Sequence, residues 1–142
     1  MSSLKPNGLS WVTPHLIVTD VLKSIDFYQS AFGFELMYMA SEDENGNCIF
    51  ARMRYKDQNI IFSPEGSFHN GQVPLKSKIE PAVILYLYCE DVDAKYEVAV
   101  EAGAKVLQSP KQEEWGDRVC RLQDSDGYVW DLASYVQDAE SK

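Results

Sequence analysis

The chain repeats its own plan. Displacing it by 71 residues lays Val18-Thr-Asp-Val21 over Cys89-Glu-Asp-Val92. Each of these tetrapeptides closes an apolar, strand-like run and opens a helix-like one. At the same displacement Ala31 lies over Ala102, and Gly33 and Gly103 end the two helical runs within a residue of each other. The last strands align at a displacement of 69, with Asn59 to Pro64 over Tyr128 to Ala133. A chain that runs twice through one order of elements is expected to fold as two copies of one unit.

In the first unit, Trp11 to Val18 reads as a strand. Asp20 is a good N-cap, because its carboxylate can accept from the first free helical amides. Leu22, Ile25, Tyr28 and Phe32 recur at helical spacing and predict one apolar face. Gly33 can take the left-handed conformation that stops a helix. Phe34 to Ala40 is the next strand, Glu44-Asn-Gly-Asn47 is a hairpin signal, and Cys48 to Tyr55 follows. Lys56 to Asn59 turns the chain into a last strand, Ile60 to Ser63.

Pro64 to Pro81 is rich in Pro, Gly, Ser and Lys and has little periodicity, as expected of a linker; it includes His69, read as a solvated loop residue. The second unit then runs from the strand Ala82 to Cys89, through a helix capped by Asp91, to a short strand at Lys105 to Gln108. The loop Glu113-Glu-Trp-Gly-Asp117 leads into the hairpin strands Arg118 to Gln123 and Tyr128 to Ser134. The expected fold is α+β. Two βαβββ modules form an eight-stranded curved mixed sheet with helices on the convex face and a concave trough inside. The expected organisation is one domain over 1–142, with module 1 at about 11–63, the linker at 64–81 and module 2 at about 82–134.

Composition narrows the partners. The formal net charge is −9, which argues against nucleic acid and against an anionic membrane surface, since both need a basic face. The longest apolar runs, such as Ala82 to Leu87, cannot span a bilayer. The N-terminal MSSLKPNGLS has no apolar signal-like core. Cys48, Cys89 and Cys120 form an odd set without metal-knuckle spacing, and they read as buried, reduced thiols. The expected setting is the cytoplasm.

The stretch HLIVTDVLKSIDFYQSAFGFEL resembles the opening of glyoxalase-type proteins. EEWGDRVCRLQDSDGYVWDLAS resembles their closing hairpin, with Trp-Gly-Asp-Arg before a strand and an Asp-x-x-Gly turn before the last. Over residues 11 to 134 the chain is therefore similar to the vicinal oxygen chelate superfamily of glyoxalases, bleomycin-resistance proteins and extradiol dioxygenases, and most of all to its bleomycin resistance-like bacterial branch. That fold hosts metal enzymes and metal-free binders alike, so the resemblance does not by itself fix an activity.

The resemblance implies metal ligands on the first and last strand of each unit. Carried over one by one, these positions fall on Thr13, Phe62, Ile84 and Asp131. The repeat pairs the same residues, Thr13 with Ile84 and Phe62 with Asp131. Ile and Phe cannot bind a cation, and one carboxylate with a threonine hydroxyl is a poor donor set. No metal and no cofactor is expected.

His15 lies two residues beyond Thr13, so alternation points it to the same face. It is a candidate for a weak second ligand with Asp131, for a general base, or for a hydrogen-bonded structural histidine. Alternation also turns Ile84, Tyr86, Tyr88, Arg121 and Asp131 inward. Hairpin geometry sets Arg121 opposite Asp131, and Trp115 is placed to close one end.

The expected ligand-binding set is Thr13, His15, Phe62, Ile84, Tyr86, Tyr88, Trp115, Arg121 and Asp131. The expected function is metal-independent binding of a cationic or aromatic small molecule, by a homodimer. The alternatives are a lyase, isomerase or dioxygenase-type enzyme using His15, Arg121 and Asp131, or an interaction module with a filled trough.

Overall fold

Asp20 and Asp91 start the two long helices of the chain. Asp20 Oδ1 accepts from the Lys23 amide at 3.1 Å and begins α1, Val21–Phe32. Asp91 Oδ1 accepts from the Ala94 amide at 3.2 Å and begins α3, Val92–Glu101. Each carboxylate satisfies an amide that the first helical turn leaves without a partner. Gly33 ends α1 in the left-handed region, at φ 77°.

The structure is a computed structural model that describes residues 4–40, 44–67 and 71–136. Around α1 stand β1 His15–Val18, β2 Glu35–Met39, β3 Ala51–Tyr55 and β4 Gln58–Pro64. A short helix, α2 Pro74–Ser77, leads to β5 Leu85–Tyr88. After α3 come β6 Lys105–Gln112, β7 Asp117–Gln123 and β8 Val129–Tyr135. The eight strands form two four-stranded mixed sheets, in the orders β1-β4-β3-β2 and β5-β8-β7-β6. In each, the outer parallel pair and the two antiparallel pairs repeat the same topology. The chain divides into two compact units, Met1–Gln29 with Gly33–Gln72 and Ser30–Phe32 with Val73–Lys142. The division falls inside the expected linker, where α2 supplies one turn of order. His69 lies outside the described residues.

The core of the first unit is set by which face of its sheet meets α1. Val21, Ile25 and Tyr28 are buried on the helix, together with Ser24. Leu22, expected on that face, is 50% exposed; the apolar stripe starts one residue earlier, at Val21. Leu16, Val18, Ala51, Met53, Ile60 and Phe62 fill the sheet side of this core. The rings of Tyr28 and Phe62 lie 4.9 Å apart. Burying a ring of this size contributes about 2–3 kcal/mol.

Several strand boundaries differ from the sequence reading. β1 begins at His15 rather than Trp11, because Pro14 has no amide to donate to a ladder; its carbonyl still accepts from Ile61 at 2.9 Å. β5 likewise begins at Leu85. β6 runs on through Pro110 to Gln112 with two register shifts. Proline is tolerated there because β6 is an edge strand.

Candidate ligand site

Strand register decides which side chains share a face. In the second unit, β5 sets Tyr86 beside Asp131 and Tyr88 beside Ala133. β7 sets Arg121 opposite Asp131, Val119 opposite Ala133 and Asp117 opposite Tyr135. Tyr86, Asp131 and Arg121 therefore form one cross-strand row. Tyr88, Ala133 and Val119 form the next, and Asp117 lies beyond it on the same face. The opposite face carries Leu87, Cys120, Leu122, Trp130 and Leu132, all buried. It also carries Arg118, which reaches α3 and pairs with Asp93 through Nε at 2.8 Å and Nη2 at 3.0 Å.

The Arg121–Asp131 pair expected from the hairpin forms. Arg121 Nε donates to Asp131 Oδ1 at 2.7 Å, and Nη2 donates to Oδ2 at 3.0 Å. The Asp131 side chain is 7% exposed and the Arg121 side chain 43%. The hydrogen bonds and charge of Asp131 hold the guanidinium pKa above its ordinary value, against the opposing effect of burial. A fork of this kind is among the stronger charged contacts a protein makes.

Asp117 is the residue the sequence reading missed. It opens β7 and is only 3% exposed. Its Oδ2 accepts from the hydroxyl of Tyr86 and from that of Tyr88, both at 2.7 Å. The indole Nε1 of Trp115 donates to the Tyr86 hydroxyl oxygen at 3.2 Å. The two phenol rings stand 5.4 Å apart at 61°. Ala133, between Tyr88 and Val119 in the ladder, contributes only a methyl to that row.

Burial, more than the neighbouring Asp117 charge, pushes the Tyr86 phenol up to about 12, while the Trp115 donor pulls the other way. The Tyr88 phenol is raised chiefly by its hydrogen bond to Asp117. Both phenols are therefore neutral donors at physiological pH. The signal in the sequence was the Trp-Gly-Asp-Arg loop, but only the register shows that its Asp already belongs to the strand.

In the first unit, His15 pairs with Ile61 and Ile17 with Ser63. The Nε2 of His15 lies 2.7 Å from Ser63 Oγ, and the Phe50 ring meets the imidazole edge-on at 6.5 Å. Ser63 was not foreseen as its partner. Thr13 lies before β1 and is half-buried.

Phe62 corrects the expectation. It is 0% exposed, packs on Tyr28 and belongs to the helix face with Leu16, so it cannot line a ligand surface on the His15 face. His15 pairs with Ile61 as its repeat partner Tyr86 pairs with Asp131. The last strands therefore correspond at a displacement of 70, not 69. A slip of one residue exchanges the two faces of a strand.

The residues do not fit the metal that the family resemblance implies. Ile61 replaces Phe62 at the last-strand position of the first unit and is no better a donor. Ile84 is apolar, Thr13 is a weak neutral donor, and both oxygens of Asp131 are engaged by Arg121. Among the described residues, no three His, Cys, Asp or Glu side chains are grouped to hold a metal ion. Divalent ions in protein sites draw on several imidazole, thiolate or carboxylate donors.

Comparison with known proteins agrees with this architecture. TioX from Micromonospora sp. ML1 superposes with a TM-score of 0.70 at 21% identity, over 89% of this chain and 98% of that one. A glyoxalase/bleomycin resistance protein/dioxygenase superfamily member from Sphaerobacter thermophilus gives 0.67 at 23% identity, over 88% and 97%. In sequence, an uncharacterised protein of Mycobacterium bovis is 32% identical over 131 residues, covering 89% of this chain and 84% of its own length. The uncharacterised YraH of Bacillus subtilis is 27% identical over 117 residues, covering 78% and 87%. The family profile described as Glyoxalase/Bleomycin resistance protein/Dioxygenase superfamily matches residues 8–132. The chain belongs to the glyoxalase/bleomycin resistance protein/dioxygenase superfamily.

Proposed function

We propose that this protein is a metal-independent small-molecule binder, which holds a cationic or aromatic ligand against the sheet face carrying Tyr86, Tyr88, Arg121 and Asp131. Its action is sequestration rather than turnover. The observation that carries the reading is the Arg121 fork on Asp131. The carboxylate that stands where a metal-using relative has its ligand is engaged at both oxygens by a guanidinium. Around it are aromatic rings and a few fixed polar groups, a combination suited to a planar or cationic ligand.

Two further features support parts of this picture. None of the three cysteines is in a disulfide, which suits a reducing cytoplasm. Edge strand β2 exposes Leu36, Met37, Tyr38 and Met39 together, a row that suits self-association into a homodimer.

Equilibrium dialysis against zinc, nickel and manganese tests the metal-free reading. The expected result is no stoichiometric uptake that depends on Asp131. One equivalent of metal, lost in Asp131→Ala, would overturn it and favour a metal enzyme built on Asp131.

A further inference from the structure

Asp117 stands outside the ion pairs that flank it on β7. Among the described residues its side chain has no cationic partner, since Arg118 turns to Asp93 and Arg121 to Asp131. Its two hydrogen bonds come from neutral phenols, and both fall on Oδ2. Among the described residues Oδ1 accepts none, although Asp117 is only 3% exposed. A carboxylate that buried is costly to leave half-satisfied. Beside it stand three aromatic side chains that are themselves open to solvent, Tyr86, Tyr88 and Trp115. Aromatic faces attract cations, and they lower the cost of bringing an ammonium group out of water.

We propose that Asp117 is the anchor of a site for a protonated primary or secondary amine, with Oδ1 accepting the ammonium N–H and Tyr86, Tyr88 and Trp115 forming the aromatic wall. This rests on the small-molecule-binding reading above and names the ligand class for that face. The tyrosine hydroxyls are committed to Oδ2, which leaves Oδ1 as the acceptor. A cation with a hydrogen to donate is therefore favoured, and a quaternary ammonium, which has none, binds more weakly. The phenols stay protonated at physiological pH, so they offer no second negative charge. One carboxylate and neutral phenols make a poor divalent-metal site. The site thus selects a monovalent organic cation over a metal.

The test is calorimetric titration of the full chain near neutral pH with butylammonium, tetramethylammonium, n-butanol and magnesium as separate probes. Saturable butylammonium binding is expected, at least about tenfold tighter than either tetramethylammonium or butanol. Asp117→Asn, checked for fold by circular dichroism, is expected to remove that preference. Trp115→Ala, at a residue 59% exposed, is expected to weaken butylammonium about two- to fivefold.

Equal binding of butylammonium and butanol would overturn the proposal with no variant needed, as would tetramethylammonium binding as tightly or magnesium binding in preference. A butylammonium affinity unchanged in folded Asp117→Asn, or unchanged in Trp115→Ala, would also overturn it. Failure of the broader reading looks different. If a wider panel finds a ligand that depends on Arg121 while butylammonium does not bind, the binder reading stands and the amine site falls.

Discussion

Arg121 and Asp131 face each other across the β7–β8 ladder and are joined by two parallel hydrogen bonds, Nε to Oδ1 and Nη2 to Oδ2. The relationship is asymmetric, because the carboxylate is buried while the guanidinium is partly in water. Removing the arginine strands a buried charge; removing the carboxylate leaves a cation that solvent can reach.

Arg121→Ala is therefore expected to destabilise the fold by about 1–3 kcal/mol, below the cost of breaking a fully buried pair because Arg121 is partly solvated. Replacing both partners, Arg121→Met with Asp131→Leu, should recover most of that loss. Urea denaturation of the two variants checks this. A single variant as stable as the wild type would mean that the pair contributes nothing.

The two phenols on Asp117 predict alkaline behaviour. A raised folded-state pKa means that the folded protein holds its proton more tightly than the unfolded chain. The resulting stabilisation is complete below the ordinary tyrosine pKa and is lost as pH rises through the folded value, which for Tyr86 is about 12. Absorbance titration of phenolate formation should show Tyr86 and Tyr88 ionising later than an ordinary tyrosine. Asp117→Asn should bring Tyr88 back most fully, since its shift comes first from Asp117, whereas Tyr86 keeps its burial contribution. A titration curve unchanged by that substitution contradicts the assignment.

Phe62 and Ile61 test the register of β4. Phe62→Ala should cost about 3–5 kcal/mol by opening a cavity against Tyr28. Ile61→Ala, on the half-buried opposite face, should cost clearly less. If the two variants melted together, or Ile61 proved the more sensitive, the two faces would be assigned the wrong way round.

Gly127 closes the turn before β8 at φ 99°, and a Cβ there would sit 2.7 Å from the backbone nitrogen of Leu75. That nitrogen donates to the Asp126 carbonyl at 2.9 Å, fastening α2 to the turn. Gly127→Ala is expected to cost about 2 kcal/mol or more, from strain and from the displaced contact. Thermal melts of the variant measure it, and an unchanged midpoint would show that α2 yields freely.

Much of this was legible in the sequence because it is local. The Asp20 and Asp91 caps and the Gly33 stop are each decided within a few residues of chain. The Arg121–Asp131 pairing follows from a single short hairpin, whose Asp124 Oδ1 accepts from the Asp126 and Tyr128 amides at 3.0 and 2.9 Å. What was not legible depends on register between distant strands. Alternation alone cannot say which of Ile61 and Phe62 faces α1, since both are apolar and adjacent; their pairing with β1 decides it. Asp117 read as part of a polar loop because Trp-Gly-Asp-Arg carries no hydrophobic period. Its role appears only when β5 brings two phenols to it from about 30 residues away in sequence. The His15–Ser63 contact is hidden for the same reason.

The central claim is that ligand binding on the Tyr86–Asp131–Arg121 face needs no metal. A thermal-shift panel of aromatic and amine-bearing compounds, run on chelator-treated protein and again with added zinc or manganese, tests it most directly. The account predicts stabilisation by at least one such compound, of equal size with and without metal, and reduced in Arg121→Ala or Asp117→Asn relative to each variant's own unliganded midpoint. Stabilisation that appears only when metal is restored would contradict it.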